Sequence, residues 1–435
     1  MDKILFISRE YFPLSNANTN CLENILDILK KNYDVDVITA KRSIISKKEE
    51  NIKGINIKRY NIPTENLIYL RNSIIDYIST KKIPKIILNP IRRMLLKSLL
   101  PLQPYFEENG YYYPKSWEKN LSKEIAANID LSQYKWVLAI GFPYDNVQVA
   151  YELKQRFEKI KFGIIEFDLY TNNPVTILND SEEKYNARLE KENNWYSFVD
   201  KLFLTSEVQN ILLNNPKINI IEEKIKTIEM PVLKNVSKQK PTRGILHKKK
   251  GSINLVYTGM FYESIRRPEF MLDTLISLFS QIPNLTLHII GFGCNDVLYE
   301  YRDKYSNNIY IYGKKHKEFC QNALLEADIL LNVGNKTSSQ APSKIIEYIG
   351  TGKPILNFFS INDDLCVKIL EQYPYALSIK ENDPINTEIL KSFITKEINN
   401  QNLNLDYMDL YKKYKPEIVV ETIIKGLKEE EGKDI

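Results

Sequence analysis

Histidine is almost missing from this chain. His247, His288 and His316 are the three in 435 residues, so no imidazole can serve as a base in the N-terminal half. Cysteine is nearly as scarce: Cys21, Cys294, Cys320 and Cys366 lie far apart and form no CxxC pair, which points away from a zinc site and from a disulfide framework. No apolar run reaches about 18 residues, and the opening Ile4-Leu5-Phe6-Ile7 is too short for a signal peptide. Neither sign of charge dominates. Sixty Lys plus Arg against 55 Asp plus Glu leave a net +5, too little for this length to mark a nucleic-acid binder. These absences predict a chain of the reducing cytoplasm that needs no metal or resident cofactor.

What is present is an alternation of strand and helix. Ile4 to Ile7 reads as a strand, Pro13 to Asn18 as a loop, Leu22, Ile25, Leu26 and Leu29 as a helix, and Val35 to Ile38 as a second strand. The alternation resumes with Trp136 to Ile140, a helix from about Asn146 to Phe157, and strands at Phe162 to Phe167 and Lys201 to Leu204. Between Lys234 and Gly251 the chain turns basic and loses periodicity, as a linker does. A second series then begins, with strands at Ile253 to Tyr257, Leu285 to Ile290, Ile309 to Tyr312 and Ile329 to Val333. The expected fold is α/β, two Rossmann-like domains facing a cleft. The expected divisions are residues 1–235, residues 252–405, and a helical tail at 406–435 returning toward the first domain. Ligands of such sheets bind beyond the strands' carboxyl ends, so function should lie in the loops that follow strands.

The most informative such loop is Gln340-Ala-Pro-Ser343-Lys344-Ile-Ile-Glu347-Tyr-Ile-Gly350-Thr-Gly352-Lys-Pro354, after the strand ending at Val333. Pro342 suits a helix's first turn and the glycines its end. A helix starting there aims free N–H groups and its positive dipole end at the strand tip, a place for a diphosphate. Lys344 would add a charge, and Glu347, one turn on, could accept from two ribose hydroxyls. Ile289-Ile-Gly291-Phe-Gly293 could open a dinucleotide fingerprint, but Asp296 fills the third glycine position, and a tight strand-to-helix turn fits better.

Together with Tyr257-Thr-Gly259-Met-Phe-Tyr262 and Arg266-Arg267-Pro268, the Pro342–Pro354 segment resembles the C-terminal half of bacterial glycosyltransferase family 4 and related GT-B enzymes. The N-terminal Ile-Leu-Phe-Ile-Ser-x-x-Tyr-Phe-Pro opening extends the likeness over most of the chain apart from about residues 41–130. The resemblance implies a donor site of Gly259, Arg266, Arg267, Gly313, Lys314, Ser343, Lys344 and Glu347. In it Glu347 holds the nucleotide ribose, Arg266 or its neighbour Arg267 faces the diphosphate, and the Gly313-Lys314 turn reads the base. Position 339, where the family often has a second glutamate, is Ser339. Asp168 is similar to the aspartate of an Asp-Pro motif, with Leu169 in the proline's place; an inverting transferase would use it as base, with Glu166 second, and a retaining one would use it only to orient substrates. Ser15, Asn16 and Asn18 occupy the family's acceptor loop without its glycines.

Residues 81–102 interleave Lys81, Lys82, Lys85, Arg92, Arg93 and Lys97 with apolar side chains and contain no acid. Such a segment can lie on an anionic membrane surface. The sequence therefore predicts a glycosyltransferase passing sugar from a nucleoside diphosphate sugar to a glycan or lipid-linked acceptor in bacterial surface polysaccharide assembly. It would be cytoplasmic and peripheral to the membrane. A nucleotide-sugar epimerase of the same fold and a catalytically silent nucleotide-sugar-binding protein are the alternatives.

Overall fold

A computed structural model of the chain describes residues 1–12, 16–41, 47–61, 90, 94, 107–108, 111–112, 115–173, 181–234, 244–247, 249–337, 343–384, 386–397 and 408–432. Of the basic stretch 81–102, only Pro90 and Met94 fall among them, and Ser15, Ser339 and Pro342 lie outside. The chain forms two compact units, Met1–Met230 with Val419–Ile435, and Pro231–Ile418. No helix among the described residues is long and apolar enough to cross a membrane.

The first unit carries strands β1 (Lys3–Ile7), β2 (Asp34–Lys41), β3 (Glu49–Ile52), β4 (Ile55–Asn61), a separate two-stranded ladder of β5 (Glu107–Glu108) and β6 (Tyr111–Tyr112), and then β7 (Tyr134–Ile140), β8 (Lys161–Glu166), β9 (Lys201–Thr205) and β10 (Ile225–Ile228). Its main sheet runs β10-β9-β8-β7-β1-β2-β4-β3 and is parallel except where β3 turns back on β4. Ile4, Leu5, Phe6 and Ile7 are all fully buried, as a parallel strand covered on both faces requires.

The second unit carries β11 (Ile253–Met260), β12 (Leu285–Phe292), β13 (Ile309–Ile311), β14 (Ile329–Val333), β15 (Ile355–Phe359) and β16 (Ala376–Lys380). The order β13-β12-β11-β14-β15-β16 is parallel throughout and matches the doubly wound dinucleotide-binding sheet. A buried polar ladder pins its register: Asn332 Nδ2 donates to Asn357 Oδ1 at 2.7 Å, and Asn357 Nδ2 to Ser378 Oγ at 3.1 Å, on residues paired across β14, β15 and β16.

The predicted strands are all present, with ends shifted by a few residues. The sheet-edge strands β3 and β16 add to them, as do β4, β10 and β15. Part of the basic stretch before Gly251 is anchored: the Ile245 and Leu246 N–H groups donate to Glu326 at 3.1 and 3.2 Å. The terminal helix is Pro416–Glu431, inside the helical tail expected at 406–435, and Pro416 fits its first turn. Its far end belongs to the first unit. There Trp136 Nε1 donates to Glu431 at 3.0 Å and Lys201 Nζ to Glu430 at 3.3 Å, and a Cβ on Gly426 would stand 2.8 Å from the Phe203 ring.

Candidate functional site

In the second unit the strand order reverses between β11 and β14, so a ligand crevice should open beyond their carboxyl ends. The loops after β11, β12 and β14 meet there. After β11 the chain passes Gly259 at φ +152° and makes a tight turn in which Tyr262 and Arg266 exchange two backbone hydrogen bonds of 2.9 Å. That turn presents the half-buried Arg266, whose Nε and Nη2 donate to Asn335 Oδ1 at 3.0 and 2.6 Å. Asn335 stands two residues past the end of β14 and is itself buried.

Gly291, paired with Gly259 on the next strand, allows the backbones to touch: a Cβ there would lie 1.6 Å from the Gly259 carbonyl oxygen. Gly293, at φ +96°, does the same against Phe261. This is the tight strand-to-helix turn expected of the Gly-x-Gly, and it leads into the helix Asn295–Lys304.

The helix Ser343–Thr351 follows β14. Tyr348 locks it to β11, its hydroxyl accepting from the Thr258 N–H at 3.0 Å, and Gly352 at φ +73° ends it. Gly350 is required where Lys234 passes, since a Cβ would lie 2.4 Å from the Lys234 carbonyl oxygen. One turn apart on this helix stand Lys344 and Glu347, both half-buried. Lys344 Nζ reaches Thr258 Oγ1 at 3.5 Å. Among the described residues no side chain or backbone group hydrogen-bonds or ion-pairs with the Glu347 carboxylate. Burial raises that carboxyl above its ordinary range, opposed by Lys344, Lys317 and Lys234. Burial likewise lowers the Lys344 ammonium, with Glu347 opposing and Arg266 adding to the effect.

Two cations held near each other with too little water are a poor arrangement alone and a good one around an incoming dianion. The helix N-terminus adds its dipole. An unpartnered carboxylate beside them is suited to hydroxyl donors. Cys320, half-buried on the helix Lys317–Glu326, feels both Lys344 and Glu347.

The other predicted donor residues are placed less closely. Arg267 is exposed and engaged with Glu269. Gly313 stands at φ +68° with open space where a Cβ would be, and Lys314 Nζ lies 5.9 Å over the Phe292 ring. A cavity of about 250 Å³ beyond β14 and β15 is lined by Arg266, Arg267, Phe270, Lys336 and Phe358 among others, but by neither Lys344 nor Glu347. Arg266 thus borders it as well. Asn335 and Lys336 carried no motif in the sequence; the one signal was their place just after a strand.

In the first unit Asp168 follows β8 and is half-buried, with Asn18 Nδ2 donating to its Oδ2 at 3.4 Å. Asn16 caps the helix Ala17–Leu29, accepting from the Thr19 N–H at 2.8 Å. Glu166 is 1% exposed, which leaves Asp168 as the solvent-reaching member of the two carboxylates.

No family model matches the chain, and no curated protein does. Solved structures do. Sucrose-phosphate synthase from Thermosynechococcus elongatus aligns at TM-score 0.61 and 13% identity over 98% of each chain. An alpha,alpha-trehalose-phosphate synthase (UDP-forming) from Burkholderia xenovorans, in complex with glucose-6-phosphate, aligns at 0.59 and 9%, over 98% of this chain and 100% of that one. WaaG, a glycosyltransferase involved in lipopolysaccharide biosynthesis, aligns at 0.50 and 14%, over 97% and 98%. At such identities the likeness is one of architecture, and in architecture the chain is a two-domain α/β protein of the GT-B glycosyltransferase fold.

Proposed function

We propose that the chain is a glycosyltransferase, of the kind grouped in family 4, that moves a sugar from a nucleoside diphosphate sugar to a glycan or lipid-linked acceptor in bacterial surface polysaccharide assembly. The observation that carries this reading is the Glu347 carboxylate, unpartnered among the described residues, one helical turn from Lys344 and the helix N-terminus at the sheet's reversal point. It would accept from the ribose hydroxyls while Lys344, Arg266 and the helix end neutralise the departing diphosphate. Asp168, in the first unit, would take the acceptor's proton in an inverting reaction or orient the acceptor in a retaining one. No resident metal takes part in this scheme. UDP is the favoured nucleotide, because the trehalose-phosphate synthase of like fold is UDP-forming. WaaG's part in lipopolysaccharide biosynthesis supports the polysaccharide role, and contact of residues 81–102 with an anionic leaflet belongs to the same reading.

A thermal-shift panel of UDP, GDP, dTDP and CMP tests it. One nucleoside diphosphate, at about 100 times its Kd, should stabilise the protein by about 2.7 kcal/mol. No shift with any of them would remove the donor site. Arg266→Ala should then weaken binding of that nucleoside diphosphate by about 1.5 to 3 kcal/mol and leave nucleoside binding nearly unchanged. Titration calorimetry with both ligands decides this; equal losses would place the diphosphate elsewhere.

A further inference from the structure

The first unit buries two carboxyl groups side by side. Glu166 ends β8 at 1% exposure, and Glu192, in the helix Glu182–Phe198, is at 0%. The Tyr196 hydroxyl lies 3.0 Å from Glu166 Oε2 and 3.2 Å from Glu192 Oε1. The Tyr144 hydroxyl lies 3.1 Å from Glu166 Oε1 and also meets the backbone carbonyl oxygen of Asp168.

These four contacts can be counted for protons. Each phenol has one to give, whereas a carbonyl and an ionised carboxylate have none. With both glutamates ionised, two protons would serve four contacts, and two buried pairs of acceptors would face each other bare, at the cost such pairs carry in a low dielectric. One arrangement satisfies all four. Glu192 donates to Tyr196, Tyr196 to Glu166 Oε2, Glu166 through Oε1 to Tyr144, and Tyr144 to the Asp168 carbonyl. Every bond then points the same way and ends on the loop that carries Asp168.

We propose that Glu166 is held as the neutral acid at neutral pH and is a positioning residue, its proton fixing the Asp168 loop through Tyr144. Its surroundings agree. Among the described residues Glu192 and Asp168, both acids, act on Glu166, and burial followed by Glu192 pushes its carboxyl upward. Burial raises the Glu192 carboxyl as well, but there Thr171 and Arg188, fully buried on the same helix, oppose the rise, which favours Glu192 as the first of the two to ionise. On the β7 side the chains pass closely, and a Cβ on Gly141 would stand 3.0 Å from Glu166 Cγ. Behind Tyr144 the rings are packed together, Trp195 stacked on it and Tyr170 tilted against both.

Because the folded carboxyl binds its proton more tightly than the unfolded one, its stabilisation is complete below the ordinary carboxylate range. It is lost as the pH rises through the folded value. Across that window the unfolding equilibrium constant should rise up to about tenfold per pH unit for each proton retained.

The proposal bears on catalysis only if Asp168 acts as suggested above, but its test needs no substrate and stands or falls separately. Infrared spectra of the full chain near neutral pH should show a buried carboxylic-acid C=O band that Glu166→Gln removes. Melting curves from about pH 5 to about pH 8 should fall for the wild type. They should stay flatter for Glu166→Gln, whose amide N–H donates to Tyr144 while its oxygen accepts from Tyr196. Should that variant not fold, the wild type and Glu192→Gln still decide, since the Glu166 band must persist in both. Absence of the band in the wild type, or a Glu166→Gln melt as steep with pH as the wild type's, overturns the proposal.

Discussion

Glu347→Ala should lower kcat/KM for a nucleoside diphosphate sugar by about two to four powers of ten. The carboxylate would make two charge-assisted hydrogen bonds to the ribose, and their loss costs about 3 to 5 kcal/mol. The fold should not suffer. Among the described residues the carboxylate has no hydrogen-bonding or ion-pair partner to strand, and burial already disfavours its charge, so its removal should leave the melting temperature unchanged or raise it. Glu347→Gln should recover only part of the activity, because the amide offers one acceptor oxygen and no charge. Steady-state kinetics beside a melting curve give the answer. A well-folded alanine variant with near-normal turnover would move the donor site away from this helix.

A second large effect is expected in stability. Gly291→Ala places a methyl 1.6 Å from the Gly259 carbonyl oxygen and 2.8 Å from its carbon. Both atoms are strand backbone and cannot swing aside. Overpacking usually costs about 1 to 3 kcal/mol and more where the backbone must move, so a loss of about 3 kcal/mol or more is expected from the second unit. Gly313→Ala is the control. Its Cβ meets nothing within 4 Å, and only the left-handed backbone is strained, for about 1 to 2 kcal/mol. Hydrogen exchange resolved by segment should show the Gly291 loss across β11 and β12 with the first unit unaffected. Equal losses for the two variants would show that the close approach at 291 costs no more than left-handed strain alone and would overturn this estimate.

Much of this architecture is legible in the sequence because parallel strands buried on both faces read as unbroken apolar runs. Ile4 to Ile7 is such a run, and Ile329 to Val333 is interrupted only by Asn332. Edge strands lose the signal: β16 reads Ala-Leu-Ser-Ile-Lys and is only half-buried along its length, and β3 is Glu-Glu-Asn-Ile. Lys344 and Glu347 are legible because a one-turn spacing after a strand has few purposes. Asn335 is not, since its hold on Arg266 spans 69 residues and a lone asparagine after a strand reads as loop. Glu192 is hidden for another reason. The run Glu182-Glu-Lys-Tyr-Asn-Ala-Arg188-Leu-Glu-Lys-Glu192 is charged all round, so no periodicity separates its buried Arg188 and Glu192 from the solvated face.

The first unit is built from two distant stretches of chain, Met1–Met230 and Val419–Ile435, and this bears on how the protein is born. Synthesis is vectorial, at about 5 to 20 residues per second, so the Phe203 ring and the buried Lys201 wait tens of seconds on the ribosome for Gly426 and Glu430. The second unit has no such debt and can close as soon as it emerges. The usual sequence, in which the N-terminal domain folds first, is therefore reversed in its last step: Val419–Ile435 completes a domain whose strands were made before the second unit.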